Sequence, residues 1–212
     1  MLALALLALA AALPATALAG RTRGCAHRSS YREGSGGTNH SGSCGRRRPA
    51  HGAGCHNVNL RPSASNLKLI RGAVLCLVNR ERARRGERAL RPNTRLRRAA
   101  QGHSESMARG AYFNHVGPGG VTPLARMRSV GYISRRTRGY EVGENIAYGT
   151  LWLATPRSIV AAWMASPGHR ANILDGRFRD TAIGVSTHLS YALTHGQAGA
   201  MYTEDFGVRL GR

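Results

Sequence analysis

Apolar residues at helical spacing begin only near residue 66 of this 212-residue chain, and that break decides how much of it can fold around a core. Residues 20–65 are rich in Gly, Ser, Arg and His, include the run Arg46, Arg47 and Arg48, and show almost no apolar periodicity. Such a segment buries too little apolar surface to offset the entropy of ordering it, so an irregular, flexible leader is expected there. Residues 66–212 have the length of one ordinary domain with its own core.

Residues 1–18 carry no charge and are nearly long enough to span a bilayer. Pro14 interrupts the run, however, and Ala17-Leu18-Ala19 before Gly20 has the small-x-small form of a cleavage site. The expectation is a signal peptide over residues 1–19 and a secreted, extracellular product, with a retained membrane anchor as the alternative. The four cysteines, Cys25, Cys44, Cys55 and Cys76, form no C-x-x-C pair, which argues against a zinc ribbon or a thioredoxin-type site. In a secreted chain they read as two disulfides. Of the three connectivities, Cys25 with Cys44 and Cys55 with Cys76 is favoured because it closes local loops.

The net charge is +21, carried by thirty arginines against one lysine, Lys68. So strong a choice of Arg over Lys points to a high-GC coding bias in a bacterium. Nucleic-acid binding leaves a patch or stripe rather than a total, and in the sequence the arginines are scattered, so no dedicated nucleic-acid partner is expected. Anionic surfaces such as wall polymers or acidic lipid heads are compatible with the charge.

The periodicity predicts a helix over residues 66–85, with Leu67, Ile70, Val74, Leu77 and Val78 on one face and Gly86 stopping it. A second helix over 93–109 places Leu96, Ala99, Ala100, His103 and Met107 on its apolar stripe, which makes His103 a core residue rather than a ligand. Thr122-Pro123 and Thr155-Pro156 each give an N-cap followed by proline in the first helical position. They open short helices to about residues 130 and 165. Residues 181–188 and 200–206 read as strands joined as a hairpin through 195–199. Helices first and strands late give the class α+β, with helices packed on an antiparallel sheet.

The chemistry sits in short motifs: FNH at 113–115, GEN at 143–145, SPGHRANIL at 166–174 and YTEDFG at 202–207. Two neutral imidazoles, His115 and His169, facing one cavity would bind a divalent metal such as zinc, and Glu144 beside them would orient or deprotonate a water. Two protein ligands fall short of the three of a catalytic zinc site. Glu204 and Asp205 are neighbours on a strand and point to opposite faces, so one of them can reach a cleft. The plain alternatives are an exposed loop histidine at 115, a turn-bracing Glu144, and His169 and Asn172 satisfying local backbone groups. Trp163, Ile159 and Val160 share a helical face and read as core. There is no H-E-x-x-H, no G-x-S-x-G and no phosphate-cradling glycine pattern. Ser166 and His169 lie three apart without an orienting acid, which gives no serine triad.

In this order the motifs resemble the CAP superfamily, the cysteine-rich secretory, antigen 5 and pathogenesis-related proteins or SCP domain, and above all its bacterial extracellular branch. The resemblance covers about residues 69–207, through LCLVNRERARRG (75–86), AAQGHSESMARGAYFNH (99–115), VGENIAYG (142–149), WMASPGHRANIL (163–174), AIGV (182–185) and YTEDFG. It implies a three-layered α-β-α sandwich with a central cleft of two histidines and two glutamates, the histidines holding a divalent ion in metal-bound members. By motif, His115, Glu144 and His169 take three of those places, and the place of the second glutamate falls on Ser166. The expected function is a secreted, non-enzymatic binding module, since family members bind sterols and other lipids. Its cleft, with Glu144, Ser166, Asn172 and Glu204, would take a small hydrophobic lipid, a peptide or a cell-wall fragment. The alternative is a metal-assisted, peptidase-like hydrolase in which His115 and His169 hold the ion and Glu144 is catalytic. A monomer is expected rather than an oligomer.

Overall fold

A computed structural model describes residues 54–210. The helices form where caps and apolar spacing predict them. Helix α1 runs Leu67–Arg84, and α2, Thr94–Gly110, is capped by Asn93 Oδ1, which accepts from the N–H groups of Arg95 and Leu96. Thr122 caps α3 (Pro123–Ser129) and Thr155 caps α4 (Pro156–Ala165), each with proline in the first turn. Ser166 links α4 to α5 (Pro167–Leu174).

A four-stranded sheet has the order β1-β3-β4-β2, where β1 is Arg91–Pro92, β2 Gly139–Thr150, β3 Asp180–Ser186 and β4 Gly199–Leu210. Strand β4 pairs antiparallel with both β2 and β3, but the two-residue β1 runs parallel to β3. The sheet is therefore mixed, where an all-antiparallel one was expected. The β3–β4 connection also differs from a tight hairpin, because it holds a further helical turn, α6 (Tyr191–Thr194).

Strand alternation divides the sheet's side chains between two helical layers. Ile183, Val185, Ala200, Tyr202 and Phe206 pack with α1 and α4 around buried Trp163, while Ala182, Ile146 and Met201 face α2 and α3. The result is the α-β-α sandwich. Its tightest approach is at Gly184, where a Cβ would run into the Ala100 backbone, so only glycine lets α2 lie this close to β3.

The ordered body begins before residue 66. Cys55 is bonded to Cys76 on α1, Val58 is buried in the core, and the Arg157 N–H donates to the Val58 carbonyl at 2.9 Å. The disulfide and one apolar anchor thus order a stretch whose composition alone would leave it irregular. The signal segment, the rest of the leader, Cys25 and Cys44 lie outside the described residues.

Arg82 is fully buried although α1 is otherwise Arg-rich on its solvent side. Its Nε donates to the Arg88 carbonyl at 2.8 Å, and one terminal nitrogen donates to the carbonyls of Ile173 (2.7 Å) and Asp175 (2.9 Å). These are carbonyls that the end of α5 leaves without helical partners. Arg82 therefore fixes the C-terminal end of the short helix that carries His169 and Asn172.

Candidate functional site

Strand β2 places Glu144 on the face that α2 covers, with its side chain only 2% exposed. Its two oxygens are both engaged. Oε1 lies 2.8 Å from His115 Nδ1, and Oε2 accepts from an Arg126 terminal nitrogen at 2.6 Å. Burial pushes the pKa of Glu144 up, but the His115 hydrogen bond and the Arg126 charge more than offset it and hold the carboxyl below its ordinary range. The same Arg126 nitrogen donates to the His115 carbonyl at 3.0 Å, so one guanidinium ties the loop after α2 to the strand.

His103 is the inner neighbour of this pair, its Nε2 3.8 Å from Glu144 Oε1 and 3.0 Å from the Asn114 carbonyl. Burial pushes its pKa down to about 4, so it is neutral at pH 7 and donates to that carbonyl. His103 is buried on the helix stripe as expected, yet it lines the site as well. Together with Tyr112, Pro118, Val121 and Arg126 it borders a small cavity of about 210 Å³.

The GEN and PGHRAN segments are clasped by reciprocal hydrogen bonds. Asn145 Nδ2 donates to the His169 carbonyl at 3.1 Å, while Asn172 Nδ2 donates to the Glu144 carbonyl at 3.2 Å and to Asn145 Oδ1 at 2.9 Å. Asn172 therefore reaches the site by holding α5 against β2. His169 is half-buried, and burial and then the charge of His115 lower its pKa, which places the two imidazoles in each other's field. His115 is 46% exposed at the opening. Ser166 makes no side-chain cap bond to α5 and marks the α4–α5 junction.

Glu204 faces away from this cleft. It pairs with Asn145 in the β2–β4 register, points into the α1 layer, and accepts from Thr181 Oγ1 at 3.1 Å. Burial raises its pKa to about 8. The last-strand acid on the cleft side is Asp205, opposite Glu144 in the same register and 1% exposed. Alternation allowed only one of the two to reach the cleft, and the register selects Asp205.

Residues 75–193 match the family model described as CAP, the cysteine-rich secretory protein family. The chain belongs to the CAP family. It is 35% identical over 155 residues to the uncharacterized protein YkwD of Bacillus subtilis (strain 168), a match covering 73% of this chain and 53% of that relative. The chain thus matches about half the length of YkwD. Among solved structures, an extracellular protein containing an SCP domain from Bacillus anthracis str. Ames aligns with TM-score 0.53 and 24% identity, over 70% of this chain and 44% of that one. An outer surface protein from Borrelia burgdorferi aligns with TM-score 0.53 and 15% identity, over 70% of this chain and 96% of that one. At these identities the structures speak for the shared fold.

Within this CAP domain the cleft has an apolar lip. Phe113 and Tyr148 meet edge to face at 5.2 Å between ring centroids, and both are more than two-fifths exposed, as are Val116 and Val121 in the His115 loop. Tyr148 lies four residues from Glu144 along β2 and so shares its face. Sequence reasoning did not single out Arg126, Asp205 or Asn145 as site residues. Asp205 had a signal in the alternation with Glu204, and Asn145 in its place within the GEN motif, while Arg126 had none.

Proposed function

We propose that this CAP domain is a secreted, non-enzymatic binding module whose cleft takes a small amphipathic ligand. The apolar body of the ligand lies on Phe113 and Tyr148, and its polar end meets the imidazoles of His115 and His169. One observation carries the reading. Both oxygens of Glu144 are already hydrogen-bonded, to His115 and Arg126, and its side chain is only 2% exposed, which leaves it poorly placed to take a proton from a water. An exposed aromatic pair beside a closed ion pair favours holding a ligand over transforming one. Export is supported by the relatives described as extracellular or outer-surface proteins.

A divalent cation such as zinc would find the outer nitrogen of His115 and the ring of His169. Among the described residues no group of three His, Cys, Asp or Glu side chains is placed to hold a metal. That donor set does not fit a catalytic zinc site, and the Arg126 guanidinium beside Glu144 adds repulsion.

The test is a titration with a dansyl-labelled fatty acid, compared across wild type, Phe113→Ala with Tyr148→Ala, and Glu144→Gln. Saturable binding weakened by about tenfold or more in the aromatic double variant is expected. Absence of binding, together with turnover of a peptide or ester substrate that Glu144→Gln abolishes, would replace this reading with the hydrolase.

A further inference from the structure

A further cavity is remote from the Glu144 cleft. It is a groove of about 950 Å³ at the corner of the sheet where β3 begins and β4 ends. Arg209, on its wall, stands four residues beyond Asp205 on β4, roughly 13 Å along the strand.

Half of its ten lining residues are arginines: Arg95 from the first turn of α2, Arg135 and Arg136 from the loop before β2, Arg179 just before β3, and Arg209 near the end of β4. One acid, Asp180, lines it with them. That carboxylate is already engaged, accepting from the Tyr132 hydroxyl at 3.0 Å and lying 4.0 Å from Arg209. Arg95, Arg135 and Arg136 have no acidic partner among the described residues. Five guanidiniums against one shared carboxylate leave a concave wall of about +4, and a concave wall of one sign focuses its field into the groove.

The wall is also held in shape. The turn carrying Arg135 and Arg136 is closed by Ser134 N–H donating to Thr137 Oγ1 at 3.1 Å and Thr137 N–H donating to the Ser134 carbonyl at 3.0 Å. Arg209 lies over the Tyr132 ring at 5.0 Å. Planar guanidiniums match phosphate oxygens in paired hydrogen bonds. No aromatic side chain among the described residues lines the groove, so these offer no platform for stacking bases. Its concave wall suits a chain lying in it more than a flat bilayer lying across it.

We propose that this groove is a binding site for a base-free linear phosphate polyanion, independent of the ligand held at the Glu144 cleft. The probe is long-chain inorganic polyphosphate, titrated into the full oxidised chain by calorimetry at several salt concentrations. Wild type is compared with Arg135→Gln plus Arg136→Gln, and with Arg80→Gln plus Arg85→Gln, two exposed positions, one on α1 and one at its C-cap, in the opposite layer. The groove variant should bind about tenfold or more weaker, with its salt slope reduced by about two, while the equally charge-reduced α1 variant stays within about twofold. Equal losses in both variants would mean diffuse charge attraction and overturn the site. Tighter binding of poly-dT of matched phosphate number, or of phosphatidylglycerol vesicles, with the same dependence on Arg135 and Arg136, would overturn the assignment to a base-free chain.

Discussion

Glu144 and Asp205 stand directly opposite one another across the β2–β4 ladder, with both carboxyls buried under α2. Only Glu144 has cationic or N–H partners. Neither oxygen of Asp205 meets an N–H or hydroxyl donor among the described residues. Burial first, and then the facing Glu144 charge, push the Asp205 pKa well above its ordinary value. Glu144 is therefore the ionised member, and Asp205 the protonated one that donates to it.

Asp205→Asn keeps a donor of the same shape and is expected to fold with stability within about 1 kcal/mol of wild type at pH 7. Asp205→Ala leaves a buried carboxylate short of a donor and should cost about 1–3 kcal/mol. In wild type the folded state keeps a proton that the unfolded chain releases above its ordinary pKa, so stability falls as pH rises from about 4. The Asn variant lacks that term and should gain on wild type with rising pH. Urea unfolding at pH 5 and pH 8 checks it, and an unchanged difference between the two would refute the protonated assignment.

Glu204 gives the same sign with a defined window. Its ordinary value of 4.5 rises to about 8 through burial, so the folded state holds a proton the unfolded state lacks between those two values. Stability contributed by that proton is complete below about 4.5, falls through the window and is gone above about 8. Glu204→Gln, neutral at every pH, should gain on wild type across that range by up to about 5 kcal/mol. Thermal melts every half unit would show the gap widening and then levelling, and a constant gap would rule this out.

Much of this arrangement was legible in the sequence, and the remainder depended on pairing. The Asn93, Thr122 and Thr155 caps mark helix starts by local chemistry alone, which is why α2, α3 and α4 begin where predicted. Strand β2 was not, because GYEVGENIAYGT carries three glycines and a polar centre and gains its extended form from register with β4. The family motifs drew attention to His115, Glu144 and His169, and the structure sets His115 against Glu144. Arg126 is one arginine among thirty, and nothing local marks it as the partner of a buried acid.

The Cys55–Cys76 bond links residues 21 apart and ties the segment preceding α1 to that helix. On the loop-entropy model such a bond contributes roughly 3 kcal/mol. Cys55→Ser plus Cys76→Ser is expected to lower stability by about that amount and to expose the 54–65 segment to protease before the rest of the domain. Equal protease sensitivity in both forms would mean that Val58 and the Arg157 contact hold the segment without the bond.

Asn172 joins α5 to β2 through the Glu144 carbonyl and Asn145 Oδ1, so its removal should act on the cleft through geometry rather than charge. Asn172→Ala is expected to cost about 1–3 kcal/mol, since it leaves partly buried acceptors unpaired. It should also loosen the clasp at the end that carries His169, because Asn145, which donates to the His169 carbonyl, loses the Asn172 bond that holds its own amide in place. Arg82 still anchors the far end of α5 through the Ile173 and Asp175 carbonyls, so the helix should swing rather than unfold. NMR titration of the histidines would detect this. In wild type, burial and the His115 charge hold the His169 pKa down, and in Asn172→Ala it should climb toward its ordinary value while that of His103, on the buried face of α2, stays near 4. A parallel rise in both would point to general loosening of the domain instead of a local hinge at α5.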